Sequence, residues 1–400
     1  MKRRSLQSFG VIVIIMLNGL LVGRSAVAGV TGGANHMGFE LYAYLSKQTG
    51  NIVIAPGALA MNLALMHAGA HERTAAQIAQ VLHLSDHSDT IDADFAEFSK
   101  QLRYSALSGC DLIMANSLWK QHDLPYRQEF HAIARDYHDA ALKSVNFADV
   151  EATRRAMNDW VSTETHQMIQ RIDSSRLPRS ETQFVLASAI YFRGDWDKPF
   201  EESRTKNGKF VLSATDSIDV PMMSRTDTFG YAETSTCQML EMPYRSNVVS
   251  MLVLLPKGPE LFGELEGMLN FDEFERISKK LKQEGTREVK VYFPRFSCST
   301  VFDLRSQLKE MGLTDAFDPT HADFSAVTGE RGLYMETVLH QARMDVNEKG
   351  TEAAAATFGF SLLGPGGPPV FVANHPFIFI IRHNPTGAIL FLGRVMNPLK

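Results

Sequence analysis

Cysteine is scarce, with Cys110, Cys237 and Cys298 the only three in 400 residues. An odd number at long spacings does not describe a disulfide framework, so burial has to hold this chain together. No Asn-x-Ser/Thr glycosylation acceptor occurs, since Asn384-Pro385-Thr386 carries the forbidden proline, which fits a bacterial envelope better than a glycosylating pathway. Blocks of like charge are missing too: 40 basic and 45 acidic residues are dispersed at a net charge of -5, leaving no surface for nucleic acid. Catalytic signatures are equally thin. There is no Gly-x-Ser-x-Gly and no His-Glu-x-x-His, and Ser306-Gln307-Leu308-Lys309 lacks the Ser-Asp-Asn and Lys-Thr-Gly companions of a penicillin-binding-like site. That tetrapeptide reads as a solvated helix turn, which leaves a serine hydrolase as the remote alternative.

What is present suits a large core, with 44% hydrophobic residues and a pI near 6.2. Lys2, Arg3 and Arg4 precede an apolar run from Phe9 to Val22, followed by Ala26-Val27-Ala28. This pattern predicts a signal peptide over residues 1–28 and a single mature domain over 29–400, exported and free of the membrane once cleaved, with an uncleaved anchor as the alternative. The expected compartment is extracellular, or periplasmic in a Gram-negative source.

Apolar spacing predicts amphipathic helices over Gly57–Ala70 and Thr74–Leu84, with Thr74 as N-cap, and a packing helix whose stripe is Met157, Trp160, Val161, Met168 and Ile169. His67 with His71, and His83 with His87, stand four apart, a spacing that can place two imidazoles on one face. With no carboxylate or cysteine cluster at fixed spacing beside them, they read as ordinary surface or boundary histidines, and neither metal nor cofactor is expected. Phe184–Phe192 is continuously apolar and predicts a strand covered on both faces. Val248–Leu255 predicts another strand, Val289, Val291 and Phe293 mark a third, and Phe377–Ile381 with Ala388–Leu392 a hairpin across Asn384–Gly387. Strands and helices alternate without a linker or repeat, so the fold class is α+β, mixed and multi-sheet, in one domain.

The organising stretch is Asp345–Pro369. Before it, Leu333–Val346 alternates as a half-buried strand, with His340, Ala342, Met344 and Val346 on one face. After Gly350 one parity holds Thr351, Ala353, Ala355 and Thr357, all small and uncharged, and the other holds Glu352, Ala354 and Ala356. Four alanines in a row favour helix, whereas the flanking alternation favours extended chain. Gly364–Pro369, rich in glycine and proline, lies between two strand patterns.

Glu348-Lys349-Gly350-Thr351-Glu352-Ala353-Ala354-Ala355-Ala356-Thr357 resembles the hinge of the serpins, the suicide inhibitors of serine proteases. Ala115-Asn116-Ser117-Leu118-Trp119, Ala189-Ile190-Tyr191-Phe192-Arg193-Gly194-Asp195-Trp196, Glu241-Met242-Pro243-Tyr244, Asn374-His375-Pro376-Phe377 and Gly393-Arg394-Val395 agree with that family, and the resemblance runs from about Asn35 to Lys400.

The resemblance implies three β-sheets, about eight or nine helices and an exposed reactive-centre loop over about 348–369. It implies a monomer that reacts with a target serine protease: the enzyme acylates itself on the loop, which then inserts into the largest sheet. Glu348, Gly350, Thr351, Glu352, Ala353, Ala354, Ala355, Ala356 and Thr357 would be the hinge. Counting from Glu348 places the reactive bond at Leu363-Gly364, with Leu362-Leu363 as second choice. A leucine before the bond suits a chymotrypsin-, elastase- or subtilisin-like enzyme. In the region where the family opens its sheet, Trp196 and His340 match. Ala55 and Ala58 stand where serines are usual, and Ser188 replaces an asparagine, so part of a hydrogen-bond network is expected to be missing. A non-inhibitory carrier or chaperone on the same fold is the third reading, and it would favour charged or bulky hinge residues.

Overall fold

The computed structural model describes residues 27–84, 90–105, 109–172, 179–180, 182–349, 356–357 and 367–400. Most of Thr351–Thr357 and all of Phe358–Gly366 therefore lie outside the described residues, among them the reactive-bond candidates Leu362, Leu363 and Gly364.

The chain opens with helix α1 (27–45) and strand β1 (Ile52–Ile54), followed by α2 (Pro56–Gly69), α3 (Glu72–Val81) and α4 (Ile91–Ser105). Helix α2 is buried on nearly every side and packs against β2 (Cys110–Gln121), β4 (Phe184–Gly194) and β15 (Ile389–Val395), strands of both sheets. Its all-round apolarity, Ala-Leu-Ala-Met-Asn-Leu-Ala-Leu-Met, is what a central helix requires. Thr74 is not the cap of α3. That place belongs to His71, while Thr74 sits inside the first turn, buried, its Oγ1 accepting from the Asp323 N–H at 3.0 Å.

After β2 come α5 (Gln128–Asp136), β3 (Ala141–Val145) and α6 (Val150–Glu164). Asp149 caps α6 by accepting from the Ala152 N–H. The buried stripe Thr153, Met157, Trp160 and Val161 follows helical spacing. Met168 and Ile169, expected on the same helix, lie beyond its end and join the same cluster from the following turn.

Two hydrogen-bonded sheets carry the strands. The smaller runs β10 (Phe296–Asp303), β11 (Thr337–Val346), β4, β2, β3. The larger contains β1, β15, β14 (Phe377–His383), β8 (Val249–Pro256), β7 (Cys237–Pro243), β6 (Ser217–Glu233), β5 (Lys206–Val211) and β12 (Ala356–Thr357), with β9 (Thr286–Pro294) and β13 (Val370–Val372) alongside. The expected three sheets appear as two because β6, 17 residues long, pairs with β5 through its start, β9 along its middle and β7 at its end. The expected hairpin is the antiparallel β14–β15 pair.

Helices α7 (Phe262–Met268), α8 (Phe271–Glu284), α9 (Arg305–Glu310) and the single turn α10 (Ser325–Thr328) complete ten among the described residues, against eight or nine expected. Ser306 lies on α9, where its Oγ donates to Gln307 Oε1 and only Leu308 is buried, so this turn is solvated as expected. The core is one cluster reaching from Val27 to Val395, with a second under α6 around Trp119, Trp160 and Tyr191. All three cysteines are buried and free, and burial pushes the Cys110 and Cys298 thiols up to about 12.

Candidate functional site

Strands β4 and β11 are parallel neighbours, paired from Thr337↔Val185 to Met344↔Phe192. Every residue of β4 but Arg193 is buried. Strand β11 is buried on both faces through Ala342, not on one as its alternation predicts, because the second cluster covers its other side: Leu339 joins that cluster, and Arg343 Nη1 donates to the Met168 carbonyl.

The middle of this seam holds His340, fully buried and directly opposite Ser188. Its Nε2 accepts from the Ala55 backbone N–H at 3.0 Å, so the single ring proton sits on Nδ1 and is donated to Ser188 Oγ at 2.8 Å. Desolvation pushes the imidazole down to about 4, which keeps it neutral. The alanine at position 55 therefore serves through its main chain, and both nitrogens of His340 are satisfied without a serine there. Ala58 is buried one turn further along α2. On β2, Asn116 pairs with Ser188 across the strands, and its buried Oδ1 has no hydrogen-bond partner among the described residues.

At the end of the seam the chain leaves β11 through Asn347, Glu348 and Lys349. Trp196 Nε1 donates to the Asn347 carbonyl at 2.8 Å, the Trp196 N–H to the Lys349 carbonyl at 2.9 Å, and the Phe200 N–H to the Glu348 carbonyl at 2.8 Å. The Trp196 ring stacks on Tyr244 with centroids 4.4 Å apart. Gly194 permits this approach, since a Cβ there would meet the Tyr244 ring at 2.6 Å. The Glu348 side chain is fully buried, and its Oε1 accepts from Thr205 Oγ1 and from Arg295 Nη2, each at 2.5 Å. The sequence reading placed Glu348 in the hinge but missed Thr205 and Arg295, which stand 143 and 53 residues away. No local pattern marks them.

Beyond Lys349 the next described pair is Ala356–Thr357, which runs parallel to Lys206–Asn207 at the edge of the larger sheet. The stretch whose flanking alternation favours extended chain thus touches a sheet at this short bridge.

The serpin (serine protease inhibitor) profile matches residues 33–398. The chain is a serpin. Leukocyte elastase inhibitor of Sus scrofa is 36% identical, with 88% of this chain and 94% of the relative covered, and leukocyte elastase inhibitor A of Mus musculus is 36% identical over 90% and 97%. An uncharacterised serpin-like protein of Thermococcus kodakarensis is 34% identical over 92% and 86%. Among solved structures, mouse protein-Z dependent protease inhibitor has a TM-score of 0.83 at 26% identity, covering 94% of this chain and 99% of that one. Native protease nexin-1 with heparin has a TM-score of 0.83 at 28% identity, covering 93% and 99%.

Within this serpin the other motifs serve packing. Arg394 binds the carbonyls of Gly50 and Ser46 and the Glu266 carboxylate, and His375 Nε2 meets the Pro256 carbonyl at 2.9 Å. Of the spaced histidines, His67 is partly buried and His71 is exposed, while His87 lies outside the described residues.

Proposed function

We propose that this serpin inhibits a serine protease as a suicide substrate. The protease serine adds to the Leu363 carbonyl and the bond to Gly364 breaks. The new amino terminus leaves with a proton, and an ester to the enzyme remains. The freed hinge then inserts between β4 and β11. The observation that carries this reading is the parallel β4–β11 pair, because a strand returning from the end of β11 fits between two parallel strands antiparallel to both. About a dozen new ladder bonds at a net ~1 kcal/mol each provide roughly 10 kcal/mol to displace the enzyme. Thr351, Ala353, Ala355 and Thr357 support it, since a charge entering the sheet interior unpaired costs several kcal/mol.

The target is an enzyme with an apolar pocket, elastase-like, chymotrypsin-like or subtilisin-like. Leu363 supports this, gaining roughly 1.5 to 3 kcal/mol on burial, as do the two relatives named elastase inhibitors. The serpin acts as a monomer outside the cytoplasm, after cleavage behind Ala28. Amino-terminal sequencing of the exported protein checks the last point, and a first residue other than Gly29 corrects it.

Mixing the protein with such proteases on a denaturing gel tests the mechanism. A covalent complex with a released peptide beginning at Gly364 is expected, and a peptide beginning at Leu363 moves the bond by one residue. Thr351→Arg should be cut without trapping. If that variant still traps protease at the unaltered stoichiometry, insertion is not the mechanism.

A further inference from the structure

His36 and Glu40 stand four apart on α1, and His83 lies two residues beyond the end of α3. Their side chains converge. His36 Nδ1 is 3.0 Å from His83 Nε2, the same His83 Nε2 is 3.0 Å from Glu40 Oε2, and His36 Nδ1 is 3.7 Å from Glu40 Oε1. A tetrahedral ion with bonds near 2.05 Å requires donor atoms about 3.3 Å apart. The two 3.0 Å separations lie a little inside that edge, and the 3.7 Å separation, which is to the other oxygen of the Glu40 carboxylate, a little outside it.

The donors also compete with one another in a way an ion relieves. The one atom His83 Nε2 faces both a second imidazole nitrogen and a carboxylate oxygen, and two ring nitrogens 3.0 Å apart can share only one proton. A cation in their midst takes a lone pair from each. Their side chains are 40%, 41% and 31% exposed in the order His36, Glu40, His83, which leaves an entry path and an open fourth position for water.

The backbone is arranged to bring them there. Gly33 lies one turn before His36, and a Cβ on it would meet the Leu82 carbonyl oxygen at 2.2 Å, so α1 can approach the end of α3 only with glycine at this place. His83 takes a left-handed φ of +49°, which turns its side chain toward α1. The Phe271 ring, 5.5 Å from the His36 ring, walls one side.

We propose that His36, Glu40 and His83 form a site for one divalent transition-metal ion of the zinc, nickel or copper class, which clamps α1 to the end of α3. Two imidazoles with a single carboxylate select such ions over magnesium and calcium, which want oxygen donors throughout. The site lies apart from the β4–β11 seam and does not depend on the inhibitory reading.

Calorimetric titration of the untagged, chelator-treated protein with zinc chloride tests it. One equivalent should bind, and the melting temperature should rise by about 3 °C at a hundredfold excess over Kd, because binding favours the folded state. His83→Ala and His36→Gln should each weaken binding by roughly tenfold or more, on the scale of a disrupted metal shell. His71→Ala, at an exposed histidine outside the cluster, should leave it unchanged. No heat and no melting shift with zinc, nickel or copper would overturn the proposal, as would one-equivalent binding that survives the His36/His83 double variant or is matched by magnesium.

Discussion

At its hinge end the β4–β11 seam is fastened by five hydrogen bonds beyond the backbone ladder, from Trp196, Phe200, Thr205 and Arg295 to residues 347–349. At its middle it is crossed by one neutral imidazole, held between Ser188 and the Ala55 amide. The fastened end uses a buried carboxylate and a stacked indole. The middle uses a small hydroxyl and a main-chain donor, with the buried alanines at 55 and 58 beside them. If the sheet opens along this line, as the proposed mechanism requires, it needs resistance where opening starts and little beyond it, and the seam is graded in that sense.

The largest test of this gradient is to let the loop enter. Cleaving at the reactive bond should raise the melting temperature by more than about 10 °C, since roughly 10 kcal/mol of ladder bonding is gained over a fold of this length. Calorimetry before and after nicking reads it, and equal temperatures would favour the carrier reading.

Next come the two partners at the hinge end, which should differ. Arg295 is 21% exposed at its side chain and Glu348 not at all. Arg295→Ala strands a buried carboxylate on the Thr205 hydroxyl and should destabilise by about 3 kcal/mol, whereas Glu348→Ala frees a guanidinium that reaches water and should lose only ~1 to 2 kcal/mol. Urea midpoints in the reverse order would show that the carboxylate does not anchor this end.

The middle is tested by pH. His340 lies near 4 in the fold against 6.5 in the unfolded chain. Between those values the unfolded state binds a proton that the folded state refuses, so the stabilisation is complete above pH 6.5 and declines as pH falls toward 4. It is worth about 3 kcal/mol across that window. His383, also pushed down to about 4 by burial, acts in the same direction. Stability of His340→Gln measured from pH 7 to 4.5 should therefore fall less steeply, by close to one proton, than that of the unaltered chain. Parallel slopes would mean that His340 is already charged in the seam.

The smallest effect is expected at Ala55, the N-cap of α2, which has no side-chain cap bond. Ala55→Ser should stabilise by ~0.5 to 1 kcal/mol through an added cap. A loss of stability would indicate that the site has no room for the hydroxyl.

Legibility followed the range of the interactions. Strand β4 and the β14–β15 hairpin were readable because a continuous apolar run and a four-residue connection are local signals. The double burial of β11 was not, since the covering residues come from the turn after α6, far away in sequence. The sheet count missed for a related reason: nothing in Ser217–Glu233 announces that one strand serves three partners. His83 was read against His87, its neighbour at helical spacing, whereas its near donors come from α1, 43 and 47 residues earlier.

The seam also sets an order of assembly. Ser188 and His340 are 152 residues apart, so β4 leaves the ribosome long before the strand that will lie beside it. At about 5–20 residues per second its edge waits about 8 to 30 s for β11. An unpaired strand edge is a template for any other strand that arrives, and during synthesis the first to arrive need not belong to the same molecule. On the proposed mechanism the nascent chain thus meets, while β11 is still awaited, the same vacancy that the finished protein would open for its own loop.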